Sequence, residues 1–100
     1  MRYITYPTTL VLHAIADGVR YGFDIADRAG LQTGTVYPAL RRLESLGFVT
    51  SKWESEKIAR REQRPARRYY EITRAGTEAL IVARKRFENL GRLSPGTRHA

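Results

Sequence analysis

A mainly α-helical fold that carries one β-hairpin is predicted by three features of this 100-residue chain. Apolar residues recur at helical spacing in three segments of its first half, and a glycine follows each segment where a helix can end. Two short segments rich in β-branched and aromatic residues then flank a polar stretch, as the strands of a hairpin do. An amphipathic segment follows the second strand. Three helices, a two-stranded wing and a C-terminal helix, in this order, are typical of a winged helix-turn-helix domain.

The three helices of the first half are predicted at residues 8–16, 21–29 and about 35–46. Phe23 and Ile25 contribute to the apolar side of the second helix. Either Thr33 or Thr35 could cap the third helix, because hydroxyl oxygens accept hydrogen bonds from the first backbone N–H groups. Pro38 favours Thr35, since the proline then lies in the first turn, where no helical N–H is needed.

The hairpin is predicted from strands at residues 48–53 and 68–72. The polar connection between them is longer than a typical hairpin loop, so we expect its tip to be mobile. Trp53, Tyr69 and Tyr70 lie on these strands. Aromatic packing across the strands explains them, and a pocket for a planar ligand is the alternative.

The last helix is predicted from residue 74 to about residue 90, with Thr73 as its cap. Its apolar residues form a heptad-like stripe of Leu80, Ala83, Phe87 and Leu90. An exposed apolar strip usually marks an interaction site, so the stripe predicts a homodimer interface. The alternative is that the stripe packs on the first helix of its own chain.

The chain is expected to comprise a winged-helix domain at residues 1–75, a dimerisation helix at 76–91 and a flexible tail at 92–100. Pro95 and two nearby glycines make the last segment a poor helix former. Association through the last helix would stabilise the chain, because a domain this small buries only a modest fraction of its surface.

The composition indicates a polyanionic partner. The chain has 18 basic and 10 acidic residues, a formal net charge of +8 and a pI of about 10.4. A basic excess of this size favours nucleic acid, with an anionic membrane surface second. No segment is apolar enough to span a bilayer. The absence of cysteine fits a reducing cytoplasm and excludes disulfides and thiolate zinc sites.

The third helix is expected to be the reading helix of a helix-turn-helix, which enters the major groove of double-stranded DNA. Its apolar positions face inward, so hydroxyl and guanidinium groups lie on or beside the outward face. Hydroxyls near a helix N-terminus suit phosphates, and arginine can bond two atoms of a guanine edge. The candidate DNA contacts are Thr33, Thr35, Tyr37, Pro38, Arg41 and Arg42. A solvated helix face is the alternative.

The hairpin connection adds a second basic cluster. Six basic residues and one acid, Glu62, lie between Lys57 and Arg68. A wing can lay such residues along the DNA backbone or the minor groove, and their order here shows no base-reading pattern, so we expect phosphate contacts. The candidate phosphate contacts are Lys52, Lys57, Arg60, Arg61, Arg64, Arg67 and Arg68. A solvated loop is the alternative.

No catalytic, metal or cofactor site is predicted. His13 lies within an apolar helix, where packing or an interface explains it, and His99 lies in the tail. No Gly-rich phosphate loop and no Ser/His/Asp arrangement is present. We therefore expect a binding protein and not an enzyme. Two further functions stay open: a protein-interaction module whose basic loop grips an acidic partner, and RNA binding through exposed aromatic residues.

Three segments resemble the PadR family of bacterial winged-helix regulators. The most specific is the run at residues 34–44, which reads GTVYPALRRLE, with residues 21–25 before it and 69–76 after it. The segments occur in the family's order and cover roughly residues 10–80. A winged helix in general does not require Tyr-Pro in the third helix, so this run favours the family over the fold at large.

The resemblance implies a dimeric repressor that leaves its operator when an effector or a stress signal arrives. It also implies that Tyr37 and the adjoining positions of the third helix contact DNA, and that the last helix carries the dimer contact. The connection at residues 30–33 is shorter than is usual in the family, and the short C-terminal helix resembles that of the family's short type. The short type leaves little surface for an effector site, so a small-molecule effector finds no support among these residues.

Overall fold

The structure, a computed structural model, describes residues 4–91. Within this range the chain forms five α-helices and one antiparallel sheet of two strands. The elements are α1 (Tyr6–Ala16), α2 (Gly22–Ala29), α3 (Thr33–Ser45), β1 (Val49–Trp53), α4 (Glu56–Arg61), β2 (Arg68–Ile72) and α5 (Arg74–Asn89). The predicted winged-helix fold, mainly helical with one hairpin, is confirmed. The predicted tail at residues 92–100 lies outside the described residues, and no helix within them is long and apolar enough to cross a membrane.

The hydrophobic core is built around α1, whose Val11 and Leu12 are fully buried. This helix packs against α2, α3 and α5. Ile25 of α2 and Leu40 and Leu43 of α3 join the same cluster. The apolar spacing therefore predicts the buried face of α3 correctly, and the core fixes which face of α3 points to solvent.

His13 does not pack in the core. Its side chain is 42% exposed, and its Nε2 lies 3.5 Å from a carboxylate oxygen of Asp17, one turn later in the chain. Packing of His13 in the core is therefore wrong, because His13 lies on the solvent side of an otherwise buried helix, and a place at an interface stays a prediction.

The third helix begins two residues earlier than predicted. Gln32 is its N-cap and no side chain caps it, so the prediction that Thr33 or Thr35 does so is wrong. Pro38 consequently lies inside α3, where it cannot donate a hydrogen bond to the carbonyl of Gly34. Gly34 is exposed, so water can bind that carbonyl and the helix continues through the proline.

The polar connection between the strands is folded and contains α4. The hydroxyl of Ser55 caps this helix by accepting a hydrogen bond from the backbone N–H of Ile58 at 3.2 Å. Glu56 lies in the first turn, and Arg60 and Arg61 lie in the last turn, so the charges complement the helix dipole. The connection is therefore not a purely irregular loop, and the mobility of its tip stays a prediction.

The aromatic residues of the hairpin do not face one another. Trp53 of β1 lies opposite Arg68 of β2 and is 65% exposed. Tyr70 points into the core, because successive side chains of a strand alternate between its faces, and Tyr69 packs edge-on against Tyr21 at 6.3 Å. The predicted aromatic packing across the strands is wrong, and β2 instead uses its tyrosines to contact the helices.

The apolar stripe of α5 is covered by α1 of the same chain. Leu80, Ala83 and Phe87 are all buried, and the ring of Phe87 packs edge to face on Tyr6 with 5.1 Å between centroids. Leu90 is 64% exposed. The predicted homodimer interface is therefore wrong at Leu80, Ala83 and Phe87, because α1 already covers these three side chains. The alternative prediction, that the stripe packs on the first helix of its own chain, is correct for these three positions.

Gly76 allows the first turn of α5 to lie against the corner where β1 begins. The hydroxyl of Thr73 accepts a hydrogen bond from the backbone N–H of Gly76 at 3.0 Å and donates one to the carbonyl of Gly47 at 2.7 Å. A Cβ atom at position 76 would collide with the carbonyl oxygen of Phe48. That oxygen belongs to the backbone, so it cannot rotate out of the way.

Gly76→Ala is expected to lower the free energy of unfolding by about 1–3 kcal/mol, because the added methyl group forces α5 away from the hairpin. Gly34→Ala is the matched control, since a Cβ there meets nothing within 4 Å. That change should raise stability by about 1 kcal/mol through helix propensity. Urea unfolding followed by circular dichroism measures both, and equal effects would contradict the close approach at Gly76.

Candidate nucleic-acid interface

The face of α3 that points away from the core presents polar and cationic side chains. All six residues predicted as contacts on this helix are exposed: Thr33, Thr35, Tyr37, Pro38, Arg41 and Arg42. Neither Arg41 nor Arg42 forms an ion pair with another residue of the described range. Their guanidinium groups are therefore available to an external anion or to a hydrogen-bond acceptor.

Tyr37 lies where α3 crosses the beginning of α2. A Cβ atom at Gly22 would collide with the hydroxyl and the ring of Tyr37, so the phenol packs directly on the backbone of α2. The tyrosine is nevertheless 41% exposed, and its outer edge can contact a ligand. Gly22 thus fixes the position of an outward-facing tyrosine.

A second basic surface lies on the wing, which comprises residues 49–72. Lys57, Arg60 and Arg61 of α4 and Lys52 of β1 are exposed. None of the four forms an ion pair with a residue between 4 and 91. Because three of them share one turn of helix, α4 holds their charges close together.

One acidic side chain holds the wing against α2. Glu54 follows β1 and is only 9% exposed. Its two oxygens accept hydrogen bonds from the guanidinium of Arg64 at 2.5 and 3.0 Å. The backbone N–H of Arg67 donates to Glu54 at 3.2 Å, and the hydroxyl of Tyr21 donates at 3.3 Å. We call these four residues the Glu54 clasp, because they join both ends of the wing connection to the start of α2.

The donors around Glu54 favour its ionised form. Hydrogen bonds from Arg64, and from the backbone of Arg67, lower the pKa of Glu54 from 4.5 to about 2, against the opposing effect of burial. The carboxylate in turn raises the pKa of Arg64 above its usual value. The clasp is therefore fully charged at neutral pH, and its strength depends on that charge.

The clasp removes one predicted cation from the interface. Arg64 binds Glu54 through two nitrogens and its side chain is only 27% exposed. The prediction that Arg64 contacts phosphate is therefore wrong, because its charge is neutralised within the chain. Arg67 keeps 45% of its side chain exposed, and Arg68 keeps 44% while donating to the hydroxyl of Ser51 at 2.9 Å.

A groove of about 570 Å³ separates the outward face of α3 from the wing. Tyr37 and Arg41 line it from α3, and Trp53 and Arg68 line it from the hairpin. Phe23 lines it from α2 and is 76% exposed, so its predicted place on the apolar side of that helix is wrong. The groove brings Arg41 of α3 and Arg67 and Arg68 of the wing to one side of the molecule, and the exposed cations of α4 do not line it.

Glu54 and Phe23 are the functional candidates that sequence reasoning missed. The sequence carries no clear signal for Glu54, because Glu56 lies two residues later and the partners of Glu54 lie 10 and 13 residues later and 33 residues earlier. Phe23 lies beside Ile25 on a short helix, and helical spacing alone does not separate a buried from an exposed aromatic residue there.

Comparison with known proteins gives one family. The model of the transcriptional regulator PadR-like family matches residues 11–81. No curated protein sequence matches significantly.

The described residues contain no group of three His, Cys, Asp or Glu side chains that could hold a metal ion.

Several solved structures share the fold. A PadR family transcription regulator from Clostridium difficile R20291 is 24% identical, with a TM-score of 0.73 over 89% of this chain and 94% of that chain. A PadR-like transcription factor from Bacteroides fragilis is 27% identical, with a TM-score of 0.65 over 84% of this chain and 82% of that chain. The transcriptional regulator BldR from Sulfolobus solfataricus is 25% identical, with a TM-score of 0.72 over 88% of this chain and 58% of that chain.

The match at residues 11–81 extends from α1 to α5 and includes the outward face of α3 and the whole wing. The family consists of transcriptional regulators and not of enzymes. The chain therefore belongs to the PadR-like family of transcriptional regulators, and it is a DNA-binding regulator.

Proposed function

We propose that the protein is a sequence-specific repressor that binds double-stranded DNA as a homodimer in the bacterial cytoplasm. The observation that carries the proposal is the outward face of α3, where Arg41 and Arg42 are exposed and have no ion-pair partner among the described residues. A helix that enters the major groove needs such side chains, because arginine can bond both acceptors of a guanine edge.

The wing supplies the second part of the proposed interface. With α3 in the major groove, Arg67 and Arg68 at the groove face the adjacent strand, and we expect the exposed cations of α4 to extend the phosphate contacts along it. Phosphate contacts raise affinity for all sequences and position the reading helix, whereas base contacts discriminate between sequences.

Replacing Arg41 or Arg42 by Ala is expected to cost about 1–3 kcal/mol of operator binding and to relax specificity at one operator position. Selection of bound sites from random duplexes identifies the operator first. Arg74→Ala is the control, because Arg74 is an arginine on α5 whose side chain is 94% exposed. If neither α3 variant changes affinity or specificity, α3 does not read the bases. If no duplex is enriched at all, the protein is better explained as a module that grips an acidic partner.

Replacing Lys57, Arg60 and Arg61 together by Gln is expected to weaken binding to operator and to unrelated duplexes alike. The slope of log affinity against log salt should flatten by about one unit for each phosphate that these side chains no longer neutralise. Arg64 is left unchanged because it belongs to the Glu54 clasp. An unchanged slope would show that α4 does not touch the DNA backbone.

We propose α5 as the dimerisation helix, although its buried stripe is occupied by α1. Exposed apolar side chains remain on this helix: Ile81 is 63% exposed, Val82 is 37% exposed and Leu90 is 64% exposed. A two-fold pair of α5 helices that meet through Ile81 and Val82, on the side of α5 away from its buried stripe, would bury these two side chains and set two α3 helices in a fixed relation. Leu90 follows the helix and lies half a turn round from Ile81. The operator would then be roughly palindromic, with half-sites about 10 base pairs apart.

Repression is the regulatory outcome we propose, because a dimer that occupies a promoter excludes polymerase by occupancy alone. A reporter gene behind the selected operator should therefore be transcribed less when the protein is present. Increased transcription would identify an activator, and this result would leave the DNA-binding proposal intact.

A further inference from the structure

The groove between α3 and the wing contains more exposed aromatic surface than a phosphate-binding surface requires. Phe23 is 76% exposed and Trp53 is 65% exposed, and both line the groove. Exposed apolar surface that is gathered in one place and surrounded by polar residues usually marks an interaction site. The ligand of this groove therefore has an apolar part.

The charge of the groove shows that the same ligand is anionic. Arg41, Arg67 and Arg68 line it against one acid, Asp24. Arg67 and Arg68 also lie 3.9 and 3.5 Å from carboxylate oxygens of Glu54 and Glu44, whereas Arg41 forms no ion pair within the described residues. The guanidinium of Arg68 lies 5.8 Å from the ring centroid of Trp53, and that of Arg67 lies 3.8 Å from the ring centroid of Tyr21. Cations are thus held beside aromatic rings. A nucleic-acid strand has the matching alternation, with anionic phosphates between apolar faces of deoxyribose.

The position of the groove selects one strand of the duplex. When α3 lies in the major groove and the wing contacts DNA on the far side of the adjacent strand, that strand must pass between α3 and the hairpin, whose residues line the groove. We propose that the groove binds the sugar–phosphate backbone of this strand, with Phe23 and Trp53 against deoxyribose and Arg68 on a phosphate. This inference rests on the proposed function and names the residues that grip the strand.

Trp53 provides a direct readout, because it is the only tryptophan in the chain. The first experiment titrates the full-length protein with a mixed-sequence duplex of about two helical turns and follows tryptophan emission. Occupation of the groove should change the intensity or the wavelength of emission with the same midpoint as binding measured by fluorescence anisotropy of labelled DNA.

The second experiment separates apolar contacts from charge contacts. Trp53→Ala and Phe23→Ala should each weaken binding about tenfold, as expected when about 50 Å² of apolar surface is no longer buried. The slope of log affinity against log salt should stay unchanged in both. Arg68→Gln should instead flatten that slope by about one unit. Trp53→Phe is the conservative control and should retain most of the affinity.

We expect both alanine variants to fold normally, because the side chains of Phe23 and Trp53 are mostly exposed. Thermal unfolding of each variant checks that its stability is unchanged. Duplex binding without a change in tryptophan emission, and with normal affinity of Trp53→Ala, would overturn the groove assignment and leave the proposed function standing. Tighter binding of a single-stranded oligonucleotide than of the duplex would also overturn the groove assignment, because it would indicate that bases stack on the exposed aromatic side chains. Failure to bind any duplex would overturn both proposals.

Discussion

Glu54→Gln is expected to weaken binding to every duplex by roughly tenfold at moderate salt, although it removes a negative charge from a strongly basic surface. The carboxylate is the centre of the Glu54 clasp and accepts four hydrogen bonds from Arg64, Arg67 and Tyr21. The neutral amide has one accepting oxygen and no charge, so the two-oxygen ion pair with Arg64 is lost and the wing connection should loosen from α2. The wing connection, with the cations of α4, would then no longer be held in a fixed position relative to α2.

A simple count of charges predicts the opposite sign for this variant. Removing an acid raises the net charge, and a higher positive charge strengthens attraction to DNA. Glu62→Gln is the matched control for that effect, because Glu62 lies on the same wing, is exposed and forms no ion pair with another described residue. We expect slightly tighter binding for Glu62→Gln and weaker binding for Glu54→Gln.

Filter binding or anisotropy over a salt series measures both variants. Hydrogen exchange at the backbone amides of α4 provides the structural readout, since loosening of the wing should raise exchange there and leave α1 protected. If Glu54→Gln binds more tightly than the unmodified protein, positioning by the clasp does not contribute to affinity and charge alone governs the wing.

The same carboxylate gives a pH dependence with a defined sign. The folded-state pKa of Glu54 is about 2, below the ordinary value of 4.5. The unfolded chain therefore binds this proton more readily, so the contribution to stability is fully present above about pH 4.5 and is lost as the pH falls toward 2. Urea unfolding should show a constant difference between the unmodified protein and Glu54→Gln above that range and a shrinking difference within it.

The outward face of α3 could be predicted because an amphipathic helix specifies both of its faces. Leu40 and Leu43 identify the buried side, and Arg41 and Arg42 then fall on or beside the exposed side whichever residue caps the helix. An error of two residues at the N-terminus did not alter these assignments, because the period of the helix, and not its first residue, sets the direction of each side chain.

The wing could not be predicted in the same way, because its structure depends on contacts between residues that are distant in sequence. A six-residue helix has too little length for a clear apolar period, and α4 is stabilised by its cap and by the clasp. Arg64 differs from Arg60 and Arg61 only in lying within reach of Glu54. The composition of the segment contains no sign of that difference.

The stripe on α5 illustrates a pattern that fits two structures equally well. Heptad-like spacing predicts that one face of a helix is buried, but it does not say whether the covering helix belongs to the same chain or to a second copy. Here Tyr6 of α1 covers Phe87, so the stripe belongs to the core of the monomer. Leu90 is the one member of the stripe that stays exposed, so the proposed dimer through α5 would use side chains outside the three buried positions.

Phe87→Ala is expected to lower the free energy of unfolding by about 3–5 kcal/mol, because it removes a buried ring and leaves a cavity against Tyr6. The total free energy of unfolding of a small domain is only about 5–15 kcal/mol, so this loss is a large fraction of it and should raise the unfolded fraction at physiological temperature. Thermal unfolding at low protein concentration measures the loss. Unchanged stability would show that α5 does not pack on α1 in solution.

Ile81→Asp should have the opposite profile, since Ile81 is 63% exposed in the single chain. A charge there costs the monomer little but would be buried without a partner in a dimer joined through α5, at a cost of about 3–5 kcal/mol. Sedimentation should therefore show a folded monomer, and affinity for a palindromic operator should collapse while affinity for one half-site persists. Ile58→Asp, the same substitution at an isoleucine of α4 that is 41% exposed, should leave the sedimentation of the dimer unchanged. A dimeric Ile81→Asp protein with normal operator binding would exclude this face of α5 from the interface.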